Sequence, residues 1–177
     1  LQSIYFGGGT PSLLSLEDLN TIFHTIDNSY NVKPDAEITL EANPDDLPPK
    51  KIQALASTPI NRLSIGIQSF FDEDLQLMNR AHSAKEARRC IEMATPYFDN
   101  ITIDLLYGMP QMSNVRWEKN LQIAFDLKLN HLSCYALTVE PKTALAHFIR
   151  TAQHPPLNDA VAAQHFQTLV TSTAKAG

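Results

Sequence analysis

Cysteine is nearly absent from this 177-residue chain, which carries only Cys90 and Cys134. The two lie far apart, each inside an apolar segment, and are expected to be small buried thiols. They cannot form a C-x-x-C metal site, and no disulfide is expected in a reducing compartment. No apolar run is long enough to span a bilayer. No basic-then-apolar leader opens the chain. These absences give the expectation of a cytoplasmic protein without a transmembrane segment. An excess of positive charge is missing too. The formal net charge is −5, which argues against a nucleic-acid surface, since phosphates require a basic patch.

What remains is an ordinary globular balance, 44% hydrophobic and 19% charged residues. The length suffices for one domain with a sizeable core, and no linker or low-complexity segment divides it. A single domain over 1–177 is therefore expected. Leu1 is not a methionine and opens directly into a strand-like run, while "FQTLVTSTAKAG" stops within or just after a helical pattern. The chain is accordingly expected to be a piece of a longer protein.

Five β-rich apolar runs alternate with helical patterns: "SIYFGGG", "AEITLEANP", "INRLSIGIQSF", "NITIDLLYGMP" and "HLSCYALTVE". After the first, Leu16, Leu19, Ile22, Phe23 and Ile26 recur at helical spacing. Ser15 with Asp18, and Ser83 with Glu86, form capping-box signatures that satisfy free amides at helix starts. Pro49 suits the first turn of a short helix, and Asp72 is placed to cap "DEDLQLMNRA". Trp117, Leu121, Ala124 and Phe125 share one stripe. Strand-then-helix alternation means βαβ units and a parallel sheet, hence an α/β fold. The strand centres are expected to be apolar on both faces, as in covered parallel sheets. Periodicity leaves two closures open, a doubly wound sheet and a (β/α) barrel.

In both architectures ligands bind at the carboxyl ends of the strands. Polar residues collect there: Gly7, Gly8, Gly9 and Thr10, then Glu41 and Asn43, then Gln68 and Ser69, then Asp104, Tyr107 and Gly108, and finally Tyr135, Thr138 and Glu140. Any one of these could cap a helix or turn the chain. Five polar strand ends within apolar runs point instead to one shared polar ligand, because unpartnered buried polar groups are unfavourable. "GGGTP" is neither G-x-G-x-x-G nor a P-loop. Its glycines expose backbone N–H and C=O groups, which suit the ammonium and carboxylate of an amino-acid end. Glu41 could accept hydrogen bonds or balance positive charge, and Asp104 could take two ribose hydroxyls.

"YFGGGTPS", "LEANPDDL", "INRLSIGIQSFFDEDLQLMNRAHS", "ITIDLLYGMP" and "HLSCYALTVEPKTAL" occur in this order. Together they resemble the radical S-adenosylmethionine (SAM) proteins of the oxygen-independent coproporphyrinogen III oxidase superfamily, over nearly the whole chain to about Phe148. "IGIQSF", "RAHS" and "CYALTVEPKTAL", with Glu140 and Thr143, resemble the haem chaperone branch rather than the genuine oxidases. The resemblance implies a partial (β/α) barrel with about five of six βα units, a [4Fe–4S] cluster and SAM. It places Gly8, Gly9, Thr10 and Glu41 at SAM. It places Gln68, Arg80 and Asp104 where the oxidases hold a second SAM. Ala136 matches a further SAM-contacting position only ambiguously.

One departure stands out. The family's C-x-x-x-C-x-x-C cluster loop has no counterpart here, so the resemblance puts the cluster ligands upstream of Leu1 and assigns no metal ligand within the chain. Two functions follow from the resemblance: a chaperone that binds haem and passes it to acceptor haemoproteins, or a radical oxidative decarboxylase of coproporphyrinogen III in porphyrin biosynthesis. Histidine is the usual haem ligand. His82 is the candidate its context singles out, although a helix-start histidine more commonly bonds backbone or faces solvent.

Overall fold

The computed structural model describes residues 1–129 and 131–177. Five parallel strands form one sheet: β1 (Ser3–Phe6), β2 (Glu37–Ala42), β3 (Arg62–Gln68), β4 (Asn100–Tyr107) and β5 (His131–Ala136). Their spatial order is the order of the sequence. A doubly wound sheet reverses direction at a switch point, whereas a barrel advances one neighbour at a time. Right-handed crossovers onto successive neighbours place every helix on the same side. The architecture is therefore a partial (β/α) barrel, with β1 and β5 at its open edges.

The helices are α1 (Leu16–Ser29), α2 (Pro49–Leu55), α3 (Asp72–Leu77), α4 (Ala84–Ala94), α5 (Asn114–Asp126), α6 (Ala144–Arg150) and α7 (Asp159–Ala176). Both capping boxes form: Ser15 and Ser83 accept from the amides of Asp18 and Glu86, whose carboxylates reach back to the capping amides. Pro49 is the first residue of α2. Asp72 does not cap α3. The position before that helix is Phe71, and the Asp72 carboxylate instead accepts from the Ala84 amide at 2.7 Å, joining the start of α3 to the start of α4. Trp117, Leu121 and Ala124 are buried as the stripe predicts, with Phe125 packed beside them.

The sheet is not apolar on both faces. One face carries Ile38, Leu40, Leu63, Ile65, Ile67, Ile101, Ile103 and Leu105, all buried. They pack with Leu19, Phe23, Ile52, Leu55 and Ile91 of the helices in one core. The opposite face carries a polar row at each level, fixed by the register. Thr39 pairs with Arg62, Glu41 with Ser64, Ser64 with Thr102, and Asp104 with Ser133. The sequence expectation fails because parallel strands are uniformly apolar only when both faces are covered. In a partial barrel the second face is the interior. At its lower level Arg62 donates to Thr102 at 2.5 Å and to Thr39 at 3.3 Å, and pairs with Glu37 at 3.2 Å. That polar layer closes the floor beneath the strand ends.

Candidate cofactor site

Above that floor, β1 is followed by Gly7, Gly8 and Gly9. Gly8 and Gly9 adopt φ of +77° and +63°, a region that only glycine enters freely. A Cβ on either would meet nothing within 4 Å, so their backbone faces open space. Gly7 is a glycine for another reason: a Cβ there would lie 2.9 Å from Tyr5 Cε1 and 3.3 Å from Glu41 Cδ. Glu41 accepts from the Gly8 amide at 3.3 Å and from the Tyr5 hydroxyl at 2.8 Å. One carboxylate thus ties the glycine loop to β1 and β2.

On β4, Asp104 projects into the same space. Its carboxyl is held above the usual carboxylate range, first by burial and then by the charge of Glu41. Ser133, Arg80 and Arg62 pull it the other way, less strongly. Ionised Asp104 is therefore short of compensating partners. Gln68 ends β3 at φ +67°, where β3 carries one more residue than β4 between paired positions. Arg80, from the segment joining α3 to α4, reaches across β3 and donates through Nη2 to Asn43 Oδ1 at 2.7 Å and to Gly66 O at 3.1 Å.

A cavity of about 150 Å³ is lined by Gly9, Thr10, Glu41, Gln68, Arg80 and Asp104, and Gly8 joins it through Glu41. The structure thus gathers all seven sequence-selected residues at one place. Ser64 and Gly66 also line it, and the sequence analysis missed both. A glycine inside an otherwise well-formed strand was the available signal, since it marks a close approach. Ala136 ends β5 outside this cavity.

Other residues of the strand-end set go elsewhere. Ser69 is buried, donating to Asp74 at 2.6 Å within a network that includes Asn120. Tyr107 packs on Trp117 with ring centroids 5.3 Å apart, and the Gly108 amide donates to His165 Nδ1 at 3.1 Å. Tyr135 is exposed. Thr138 and Glu140 border a neighbouring cavity of about 1060 Å³ that opens beside Gln68 and Arg80. Thr143 caps α6. His82 is buried, its Nε2 at 3.1 Å from Ile67 O and its Nδ1 at 3.6 Å from Asp45. In this position Nε2 bonds backbone, and Nδ1, although it has no hydrogen-bond partner, is buried away from solvent.

The site suits SAM. Open glycine backbone and the Glu41 carboxylate match the amino-acid end. Asp104, short of donors, matches a group bearing hydroxyls. The chain's own residues do not suit an iron–sulfur cluster, which needs thiolates brought together. Cys90 and Cys134 lie on different elements, and burial pushes each thiol up to about 12. Cys90 is buried as expected, whereas Cys134 is only half-buried. Among the described residues no group of three or more His, Cys, Asp or Glu is placed to hold a metal ion.

A barrel segment with polar groups converging above its strand ends defines a cofactor-binding (β/α) barrel protein. The sequence profile of the Radical SAM superfamily matches residues 1–124, and the chain belongs to that superfamily. It is 36% identical over 168 residues to mouse "Radical S-adenosyl methionine domain-containing protein 1, mitochondrial", covering 94% of this chain and 38% of that protein. It is 37% identical over 152 residues to "Heme chaperone HemW" of Bacillus subtilis, covering 85% of this chain and 40% of that protein. The chain thus spans about two fifths of the length of these relatives. Among solved structures, coproporphyrinogen III oxidase HemN from Escherichia coli, a radical SAM enzyme, superposes with a TM-score of 0.86 at 24% identity, covering 100% of this chain and 41% of that one. The archaeal Elp3 of Methanocaldococcus infernus superposes with a TM-score of 0.70 at 19% identity, covering 87% and 41%. These likenesses bear out the partial barrel. No helix among the described residues is long and apolar enough to cross a membrane.

Proposed function

We propose that this chain is the SAM-binding core of a haem chaperone, a protein that binds haem and transfers it to acceptor haemoproteins. The observation that carries the cofactor part is the convergence of Gly8, Gly9, Thr10, Glu41, Gln68, Arg80 and Asp104 about one cavity. The chaperone part is supported by relatives named heme chaperone HemW, such as that of Bacillus subtilis at 37% identity. The chain is read as one radical SAM core, with the cluster held by cysteines elsewhere in the whole protein.

When bound, SAM supplies the methionyl and adenosyl groups on which radical SAM chemistry depends. Glu41 accepts the ligand's ammonium, while Gly8 and Gly9 allow its close approach. Asp104, in its ionised form, accepts hydrogen bonds from the ligand's hydroxyls. Arg80 offers positive charge from the β3 side. The apolar helix face lies behind the strands, and the polar face is the one turned toward the ligand.

The test uses the full-length protein. Haem added to the purified protein should give a bound absorption spectrum, and the haem should pass to an apo-acceptor. Calorimetric titration with SAM should show weaker binding after Glu41→Ala and after Asp104→Ala. Failure to bind haem removes the chaperone reading, and anaerobic conversion of coproporphyrinogen III would replace it with the decarboxylase. Unchanged SAM affinity in both variants removes the site.

A further inference from the structure

Arg80 is held in an unusual way. Both hydrogens of Nη2 are used, one by Asn43 Oδ1 at 2.7 Å and one by Gly66 O at 3.1 Å. The Asn43 amide is itself oriented, because its Nδ2 donates to Asp46 Oδ2 at 3.2 Å. The same Asp46 oxygen accepts from the buried Ser12 hydroxyl at 2.8 Å. Ser12 lies in the turn Pro11–Leu13, immediately after the glycine loop. Gly66 leaves room for this arrangement: a Cβ there would lie 3.2 Å from Arg80 Nη2 and 2.9 Å from Gln68 Nε2. Among the described residues no carboxylate lies within salt-bridge distance of Arg80.

We propose that Asn43, Asp46 and Ser12 are positioning residues that lock Arg80 to the glycine loop, and that the locked guanidinium recognises single acceptor atoms rather than clamping a carboxylate. A carboxylate grips a guanidinium along an edge, taking one hydrogen from each of two nitrogens. Both such edges include Nη2. With both Nη2 hydrogens held by protein, neither edge is a free fork, and Nε and Nη1 remain as separate donors. Arg80 therefore delivers charge and single hydrogen bonds, as a hydroxyl, a ring nitrogen or one oxygen would take. The relay also means that movement of the glycine loop and movement of Arg80 are coupled through four consecutive hydrogen-bonding groups.

This inference rests on SAM occupying the cavity, and its test separates the two. In the full-length protein, SAM affinity is measured calorimetrically for Arg80→Ala, Asn43→Ala, Ser12→Ala and the doubles with Arg80→Ala. Losing one oriented hydrogen bond should weaken binding about three- to tenfold for Asn43→Ala, and less for Ser12→Ala. Neither change should weaken binding further once Arg80 is gone. A purely structural role would lower thermal stability yet leave the effects on affinity additive. Additive losses, or full affinity in Asn43→Ala where Arg80→Ala is weakened, overturn the relay. Decarboxylated SAM serves as the second probe. Arg80→Ala should weaken it as much as it weakens SAM, and a loss confined to SAM itself would overturn the single-acceptor reading. If Arg80→Ala alone is silent while Glu41→Ala and Asp104→Ala weaken binding, the inference falls and the proposed function stands. If all three are silent, the site itself is refuted.

Discussion

The Tyr5 hydroxyl donates to Glu41 Oε1 at 2.8 Å while Glu41 Oε2 accepts the Gly8 amide at 3.3 Å. One carboxylate is thereby held by a residue of the strand before it and by the glycine loop that follows that strand. Tyr5 pairs with Thr39 across the sheet, so Glu41 is its diagonal neighbour on the same face, within reach of a long side chain. The phenol is pushed above its usual range by burial first and by its bond to Glu41 second, so it stays protonated and donating at neutral pH.

The two residues are therefore expected to differ as variants. Glu41→Ala removes the acceptor itself and should weaken SAM binding by about tenfold or more. Tyr5→Phe removes only one of two supports and should weaken it by about threefold. Calorimetric titration of the full-length protein checks the order, and an equal or larger loss in Tyr5→Phe would contradict it.

Asp104 should show a conflict between stability and binding. Its carboxyl lies above the usual range, mainly from burial and then from Glu41. The stability linked to this shift is present below the ordinary carboxylate value and is lost as pH rises through the raised value. Asp104→Asn removes that loss and should raise the neutral-pH Tm by about 1–3 °C after allowance for partial solvent screening. The same change should weaken SAM binding, because a ligand that donates to Asp104 needs the ionised form. In the wild-type protein affinity should accordingly fall as pH is lowered through the raised value, and that limb should vanish in Asp104→Asn. Thermal unfolding and titration over a pH series measure both.

His165 is buried against Trp117, and its Nδ1 accepts the Gly108 amide at 3.1 Å. That nitrogen must be unprotonated to accept. Burial holds the imidazole below its usual range. The sign follows: this stability is present above the ordinary histidine value, about 6.5, and is lost as pH falls through the depressed value. Tm should drop on acidification over that window. His165→Asn, which keeps an acceptor for Gly108, should flatten the drop. Trp117 is the sole tryptophan, and its indole donates to His165 O at 2.8 Å, so its fluorescence reports the transition directly.

With both thiols pushed up to about 12 by burial, neither cysteine should react as a thiolate in the native state at pH 8. Iodoacetamide should leave Cys90 untouched and modify the half-buried Cys134 slowly, with both labelled quickly after unfolding. Incubation of this chain with iron and sulfide should give no stable [4Fe–4S] signal by electron paramagnetic resonance. Rapid native labelling, or a stable cluster signal, would contradict the thiol chemistry described.

Much of this was legible from local rules. The boxes at Ser15 and Ser83 depend on residues three apart, and the apolar stripe of α5 on spacing alone, so neither needs the rest of the molecule. The six cavity residues and Gly8 beside them are marked by strand ends and family motifs. The polar interior was also written in the alternation of "ITLEA" and "LSIGIQ". It was misread because parallel strands are commonly covered on both faces, and only the curvature of the sheet determines whether the second face is covered. Asp72 was misassigned for a related reason: α4, twelve residues away, offered the better donor. His82, which a helix start leaves either facing solvent or bonding backbone, is buried by the fold and takes the backbone partner, Ile67 O.

The sequence by itself determined five strands, their helices and the polar residues at the strand ends, because periodicity and capping act within a few residues. Periodicity left the closure open, because the order of strands depends on how crossovers stack; the family resemblance implied the partial barrel, and the tertiary structure bears it out. It alone decided which polar groups meet. Register set Glu41 beside Ser64 and Asp104 beside Ser133. A glycine in β3 let Arg80 cross to Asn43. Such meetings join residues 37 positions apart, a separation that local sequence rules cannot reach.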